Sequence, residues 1–181
     1  MGQWTDDVKY GMREEQKVCD ELNAHFPHWK VESWGGKDMP DFKCQIGYGE
    51  IKSYNDWYRS PMIEYSNITT NKKSVWVSDT TINIMVVNHG EWLHLYNCSK
   101  LRYCCAEGHF TWHYKDVKQG DLDEYKRMKF LCINKVSTLR DRTHNEDTDP
   151  QRWDCTEIDE RINPYITSIR KEWTSIEKKS K

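Results

Sequence analysis

No apolar run in this chain of 181 residues approaches the ~18 residues that a membrane-spanning helix needs, so a membrane protein built on helices is not expected. Residues 1–10 do not read as a charged region followed by an apolar one, so no secretory signal is expected. Met1-Gly2 opens like a myristoylation motif, but Asp6 stands where that motif wants a hydroxyl. The seven cysteines are odd in number and irregularly spaced; without an export signal they point to reduced thiols in a cytoplasmic, intracellular protein rather than a disulfide scaffold. Asn67-Ile68-Thr69 and Asn97-Cys98-Ser99 fit the glycosylation pattern but mean nothing in a chain that is not secreted. There is no internal repeat, no low-complexity tract and no Gly-rich phosphate loop of Walker or Rossmann type. A large net charge is lacking too: it is −2, so any basic footprint for a polyanion must be local. Aromatics are plentiful, with nine Trp and ten Tyr, which argues against disorder. The length suits one domain with a core that needs no metal or disulfide staple.

Periodicity places a first helix over residues 6–25, with Thr5 as its N-cap, Asp6 and Asp7 at its positive end and Pro27 beyond it. Its apolar stripe runs Val8, Met12, Cys19, Leu22, Phe26. Glu15 falls on that stripe, where a carboxylate is costly unless something pairs with it; Glu14 lies one step off and reads as solvated. Residues 30–34 alternate as a strand before a Gly35-Gly36 turn. Residues 41–46 and 50–53 read as two strands of a hairpin around Gly47-Tyr48-Gly49. Residues 59–73 give a weak helical reading, with Pro61 suited to a first turn. Residues 73–77, 82–88 and 91–97 read as strands, with a turn at His89-Gly90. Residues 122–130 suggest a helix and 131–136 a strand. Residues 141–160 are acidic and linker-like. A last helix is expected to open with Asn163 as cap and Pro164 at its first position, carrying Tyr165, Ile166, Ile169, Trp173 and Ile176 on its apolar face. Residues 178–181 form a Lys-rich tail.

The informative stretch is Pro40-Asp41, then eight residues, then Glu50-Ile51-Lys52. On a strand, Glu50 and Lys52 share a face, and a hairpin partner beginning at Asp41 brings a second carboxylate beside them. Two convergent carboxylates repel unless a cation lies between them. Hard oxygen ligands with room for water suit magnesium, which can hold a phosphate oxygen and lower the pKa of a bound water. The plain alternative is a turn aspartate after proline and a surface glutamate paired with Lys52.

This arrangement resembles the PD-(D/E)XK nuclease superfamily, the restriction-endonuclease-like fold, over residues 10–87. Gly11-Met12-Arg13-Glu14-Glu15 is similar to the Gly-x-x-x-Glu opening of archaeal Holliday-junction resolvases, and the segment from Ser33 to Asp41 is similar to the one those resolvases place before their motif aspartate. Glu50-Ile51-Lys52-Ser53 fits their third strand. The resemblance implies an α/β fold whose core is helix, three-stranded antiparallel piece, helix, strand, lying within residues 5–88 of a single nuclease-like domain, with strand and helix additions over residues 89–181. It implies Asp41 and Glu50 as metal ligands with the Ile51 carbonyl as a third, Glu15 as a ligand directly or through water, and Lys52 as the catalytic lysine. The metal would be Mg2+, with Mn2+ as substitute. Ser33, Lys37, Lys72 and Lys73 would contact phosphate. The family's polar residue on the second helix has Tyr65, Asn67, Lys72 and Lys73 as candidates. The implied activity is hydrolysis of DNA phosphodiesters by an endonuclease, with a homodimer giving one site per strand; the last helix, with Trp173 and its isoleucines, is expected to pack in the core, with a dimer interface as the other option. The alternative is a protein of nuclease fold that binds DNA or a partner protein with its site unused.

Two further features bear on function. Lys30, Lys43 and Arg59 join Lys37, Lys72 and Lys73 as a local basic group, and Trp34, Trp57 and Tyr58 could stack on bases. His89, His94, Cys98, Cys104, Cys105, His109 and His113 crowd one window, yet they form no Cys knuckle of the kind zinc uses. On a strand, Cys104 and Cys105 would face opposite sides, while Trp92, His94, Tyr96 and Cys98 would share a packing face. No Cys–His pair stands out as a nucleophile and base.

Overall fold

In a computed structural model the described residues are 2–35, 39–54, 62–107, 112–118, 124–132 and 163–172. They form a mixed α/β structure rich in strands. No helix among them is long and apolar enough to cross a membrane.

The chain opens with α1, Gly2–His25. It starts earlier than the capping signal suggests, because nothing in Gly2, Gln3 or Trp4 forbids helical dihedrals and Thr5 is absorbed into the interior. Pro27 begins a single 3-10 turn, Pro27–Trp29, in which Phe26 stacks on Trp29 at 4.4 Å. Lys30 then turns the chain with a φ of 50°. The Asn23 amide ties the helix to the returning chain, donating to the Val31 carbonyl and accepting from the Val31 N–H, each at 2.7 Å. The buried face is rotated from the one periodicity suggests. Met12 is 64% exposed, whereas Glu14 is 3% exposed and packs beside Val18, Glu21 and Leu22. Glu14 is therefore not solvated; its Oε1 accepts from Lys17 at 3.0 Å, and the buried Lys171 lies close enough to Glu14 and Glu21 to feel both charges.

Six strands build the first sheet: β1 (Glu32–Ser33), β2 (Phe42–Cys44), β3 (Gly47–Tyr54), β6 (Ile82–His89), β7 (Trp92–Asn97) and β10 (Tyr165–Arg170), in that spatial order. Only the β3–β6 contact is parallel. The expected hairpin is present, but its turn is Gln45-Ile46 and the two glycines lie inside β3. Both are required there. Gly47 has a φ of +125°, and a Cβ on Gly49 would run into the Phe42 ring that faces it across the ladder.

The second sheet runs β5 (Lys72–Lys73), β4 (Met62–Asn67), β9 (Tyr125–Cys132), β8 (Trp112–Lys118), all antiparallel. Here three expectations are corrected. Residues 62–67, read as helical, are strand β4, because Ile63 pairs with Leu131 and both are fully buried. Residues 73–77, read as a strand, are mostly the one-turn helix α2, Val75–Ser78, whose Trp76 is fully buried and donates to the Glu64 carbonyl at 2.8 Å. Residues 125–130, read as a helix, are strand β9, where buried Met128 alternates with exposed Arg127. The expected strand over 131–136 begins inside β9, and its remainder lies outside the described residues. For β4 and β9 pairing with a distant strand overrides weak local propensity.

The helix α3, Cys98–Ala106, follows β7 and is capped by the Asn97 side chain, which accepts from Lys100 N–H at 3.0 Å. Cys104 and Cys105 are thus on a helix, not a strand, and both are buried. The last expected helix is strand β10. Its Asn163-Pro164 signal is real but local: Asn163 accepts from the Tyr165 N–H, and the Pro164 carbonyl accepts from Asn97 N–H. The open edge of β7 then takes up Tyr165 onward as a strand, and Ile169 packs in the core. Residues 133–162, the acidic stretch included, and residues 173–181 with Trp173, Ile176 and the Lys-rich tail lie outside the described residues.

Core side chains fill both faces of the first sheet. One face packs Ile51, Ile84, Val86, Leu93 and Leu95 against Val18 and Leu22 of α1. The other packs Met85, Val87 and Tyr96 against α3 and against Ile63 and Leu131 of the second sheet.

Candidate functional site

The site lies where β2, β3 and α1 meet. Asp41 sits one residue before β2, and its N–H donates to the Gly49 carbonyl at 3.0 Å. Its carbonyl holds the preceding loop, accepting from Trp34 N–H at 2.9 Å and Gly35 N–H at 3.3 Å. Its Oδ2 accepts from the Ile51 N–H at 2.6 Å, so the side chain takes the place of a strand partner at the end of the ladder. Strand alternation then points Glu50 and Lys52 to the same face, where Lys52 Nζ donates to Glu50 Oε1 at 2.6 Å. The pair expected of a bland surface is therefore made, but not at a surface: Glu50 is 5% exposed and its Oε2 is buried with no hydrogen-bond partner. A Cβ on Gly35 would lie 3.9 Å from Glu15 Oε2, which sets the helix carboxylate against the loop that Asp41 anchors.

These groups act on one another electrically. Burial, then the Asp41 charge, with Lys52 opposing and Glu50 adding, pushes Glu15 up to about 7. Burial raises Asp41 against the Ile51 N–H, and raises Glu50 against Lys52. Burial works against the Lys52 ammonium, but Glu50, Asp41 and Glu64 together hold its pKa above the usual lysine range. Three carboxylates with raised pKa values around one orphaned carboxylate oxygen are a place where a divalent cation would relieve repulsion. Among the described residues no three His, Cys, Asp or Glu side chains form a metal-holding group by themselves. A cation there would draw its donors from the Asp41 and Glu50 carboxylates, completed by the Ile51 carbonyl and water.

A cleft of roughly 200 Å³ opens from Glu50 and Lys52 and is lined further by Glu64, Asn67, Lys72, Lys73 and Ser74. Lys72 and Lys73, expected near the phosphate, are brought to the site, but on strand β5 rather than on a second helix. Asn67 is there too, whereas Tyr65 turns the other way, to Trp76 and Trp112. Glu64 was not singled out in the sequence. It accepts from Ser74 Oγ at 3.2 Å and adds a carboxylate whose charge reaches Glu50 and Lys52. Its signal would have been the alternation of residues 62–64 as a strand. Ser33 is exposed on β1, opposite Phe42. Trp34 is 43% exposed with Lys43 Nζ 5.1 Å from its ring. Lys37, Trp57, Tyr58 and Arg59 lie outside the described residues.

The His/Cys window is dispersed. His94 Nδ1 is hydrogen-bonded to Ser168 Oγ at 2.5 Å, joining β7 to β10. Burial pushes Cys98 and Cys105 up to about 12 and raises Cys104, so these thiols are poor nucleophiles at neutral pH. His109 lies outside the described residues. No family model matches the chain, and no curated protein or solved structure matches it either.

Proposed function

We propose that the chain is a metal-dependent nuclease that hydrolyses DNA phosphodiester bonds, an endonuclease with a centre of the PD-(D/E)XK kind. The observation that carries this reading is the meeting of Glu15, Asp41, Glu50 and Lys52, contributed by a helix, a loop and a strand. The order of elements supports it: a helix, three antiparallel strands β1–β3, and then β6 parallel to β3. The departure is the crossover, where two strands and the one-turn α2 stand in place of a second helix.

Asp41 and Glu50 would hold the cation with the Ile51 carbonyl, and Glu15 would join directly or through water. Bound magnesium would supply charge for a phosphate oxygen and lower the pKa of a water. Lys52, whose ammonium is favoured by the surrounding carboxylates and which donates to Glu50, would orient the attacking water or stabilise charge on the phosphate. Glu50 can serve both partners, because Lys52 takes Oε1 and leaves Oε2. Cutting both strands of a duplex would take two copies, one site per strand. The second reading is a nuclease-fold protein that binds DNA or a partner protein with its site unused.

Supercoiled plasmid and a four-way junction, incubated side by side with magnesium or manganese, separate these. Cutting by wild type and not by Asp41→Asn supports the nuclease, and the preferred substrate distinguishes a resolvase from a general endonuclease. Tight DNA binding by folded wild type without cleavage of either substrate would overturn it in favour of the binding protein.

A further inference from the structure

The second sheet carries a charge that the rest of the chain does not. Its four strands hold seven Lys and Arg against two carboxylates, Glu64 and Asp116, in a chain whose net charge is −2. Register divides them by face: Lys72, Lys115 and Lys126 stand on the face that carries Glu64, and Lys73, Arg127, Lys129 and Lys118 on the other. Lys72 stands opposite Asn67, Asn67 opposite Met128, and Met128 opposite Lys115. This single row crosses all four strands, from a lysine and an amide that line the cleft beside Glu50 and Lys52 to an exposed lysine on the outer strand. Glu64, Phe130 and His113 form the next row on the same face. The opposite face carries Ile63, Leu131 and Trp112 and is turned to the core.

We propose that this outer face carries the sugar–phosphate backbone of the DNA flanking the cut, along the row from Lys72 to Lys115. The proposal rests on the nuclease reading above and adds where the substrate lies. Charge complementarity selects the occupant: lysines at both ends, an amide donor between them, and Met128, 7% exposed, as an apolar floor. Three interstrand gaps span about 15 Å, the length of roughly four phosphates at about 3.4 Å rise per strand. A duplex entering the cleft would thus be gripped for several steps on one side of the reacting phosphate.

The test is binding of a fluorescein-labelled 30-base-pair duplex, by anisotropy in EDTA at several salt concentrations. The variants are Lys115→Glu and Lys118→Glu. They make the same charge change on one strand, but Lys118 stands opposite Tyr125 on the other face. Lys115→Glu should weaken binding about tenfold and Lys118→Glu less than twofold. The milder Lys115→Gln should lower the slope of log affinity against log salt by about one. Equal losses at Lys115 and Lys118, or none at Lys115 in a protein that still binds and cuts DNA, would overturn this path and leave the nuclease reading standing. A wild type that binds no duplex at all would overturn both.

Discussion

Lys52 is held in place by its neighbours rather than by solvent, and this makes it the sharpest residue to change. In Lys52→Ala the Glu50 carboxylate, already missing a partner at Oε2, loses the one at Oε1 as well. The expected cost in stability is about 1–3 kcal/mol, small enough to leave a folded protein, while cleavage falls to background. Wild-type cleavage rates in that variant would remove Lys52 from the reaction. Glu15 makes a pH prediction. Its folded pKa, about 7 against 4.5 for the free group, means that the folded state binds the extra proton between those values. Stability of the metal-free protein is therefore greatest below about 4.5 on account of this group, and is lost as pH rises toward and through 7. Asp41 and Glu50 are raised too and act with the same sign. Glu15→Gln should flatten the profile and gain on the order of 1 kcal/mol at pH 8, discounted because the residue is partly exposed. Thermal melts in EDTA across pH 5–8 would read this; parallel profiles for the two proteins would return Glu15 to the role of an ordinary helix-surface carboxylate.

Among the elements, the β2–β3 hairpin does most to position the site, and its tightest point is Gly49 under Phe42. Gly49→Ala should cost about 3 kcal/mol through overpacking and lower activity by shifting Asp41 relative to Glu50, since the Gly49 carbonyl accepts from the Asp41 N–H. Chemical denaturation would show it, and an unchanged midpoint would mean that the two strands separate without cost. The hairpin was legible in the sequence because everything that defines it is local: two-residue alternation, two glycines, and an aspartate separated by eight residues from a glutamate. Glu15 was legible as a carboxylate on an apolar stripe, although the stripe itself is turned, with Glu14 buried and Met12 exposed. Glu14 pairs with Lys17 on its own helix, while the second lysine that feels its charge, Lys171, lies beyond β10 and sends no local signal. Elements that depend on distant partners were misread for the same reason. Residues 62–67, 125–130 and 165–170 become strands because β9, β4 and β7 offer them ladders. Glu64 was missed with them, since its place at the cleft follows from the β4 pairing.

At the scale of the molecule, the two sheets among the described residues place the carboxylates Asp41, Glu50 and Glu64 beside a face that carries Lys72 and Lys115. A cation held between these carboxylates would relieve their repulsion, so on the proposed reading magnesium should stabilise the folded protein by mass action, about 2.7 kcal/mol at a hundred times its dissociation constant. Binding and catalysis then share one set of carboxylates. The most direct measurement is a magnesium titration of wild type and Asp41→Asn, followed in the same samples by melting temperature and by nicking of supercoiled plasmid. In wild type both should rise together over one range of concentration, and in Asp41→Asn neither should rise. Nicking that proceeds equally well without the Asp41 carboxylate, or a melting temperature that climbs alike in both proteins, would contradict a nuclease centred on these residues.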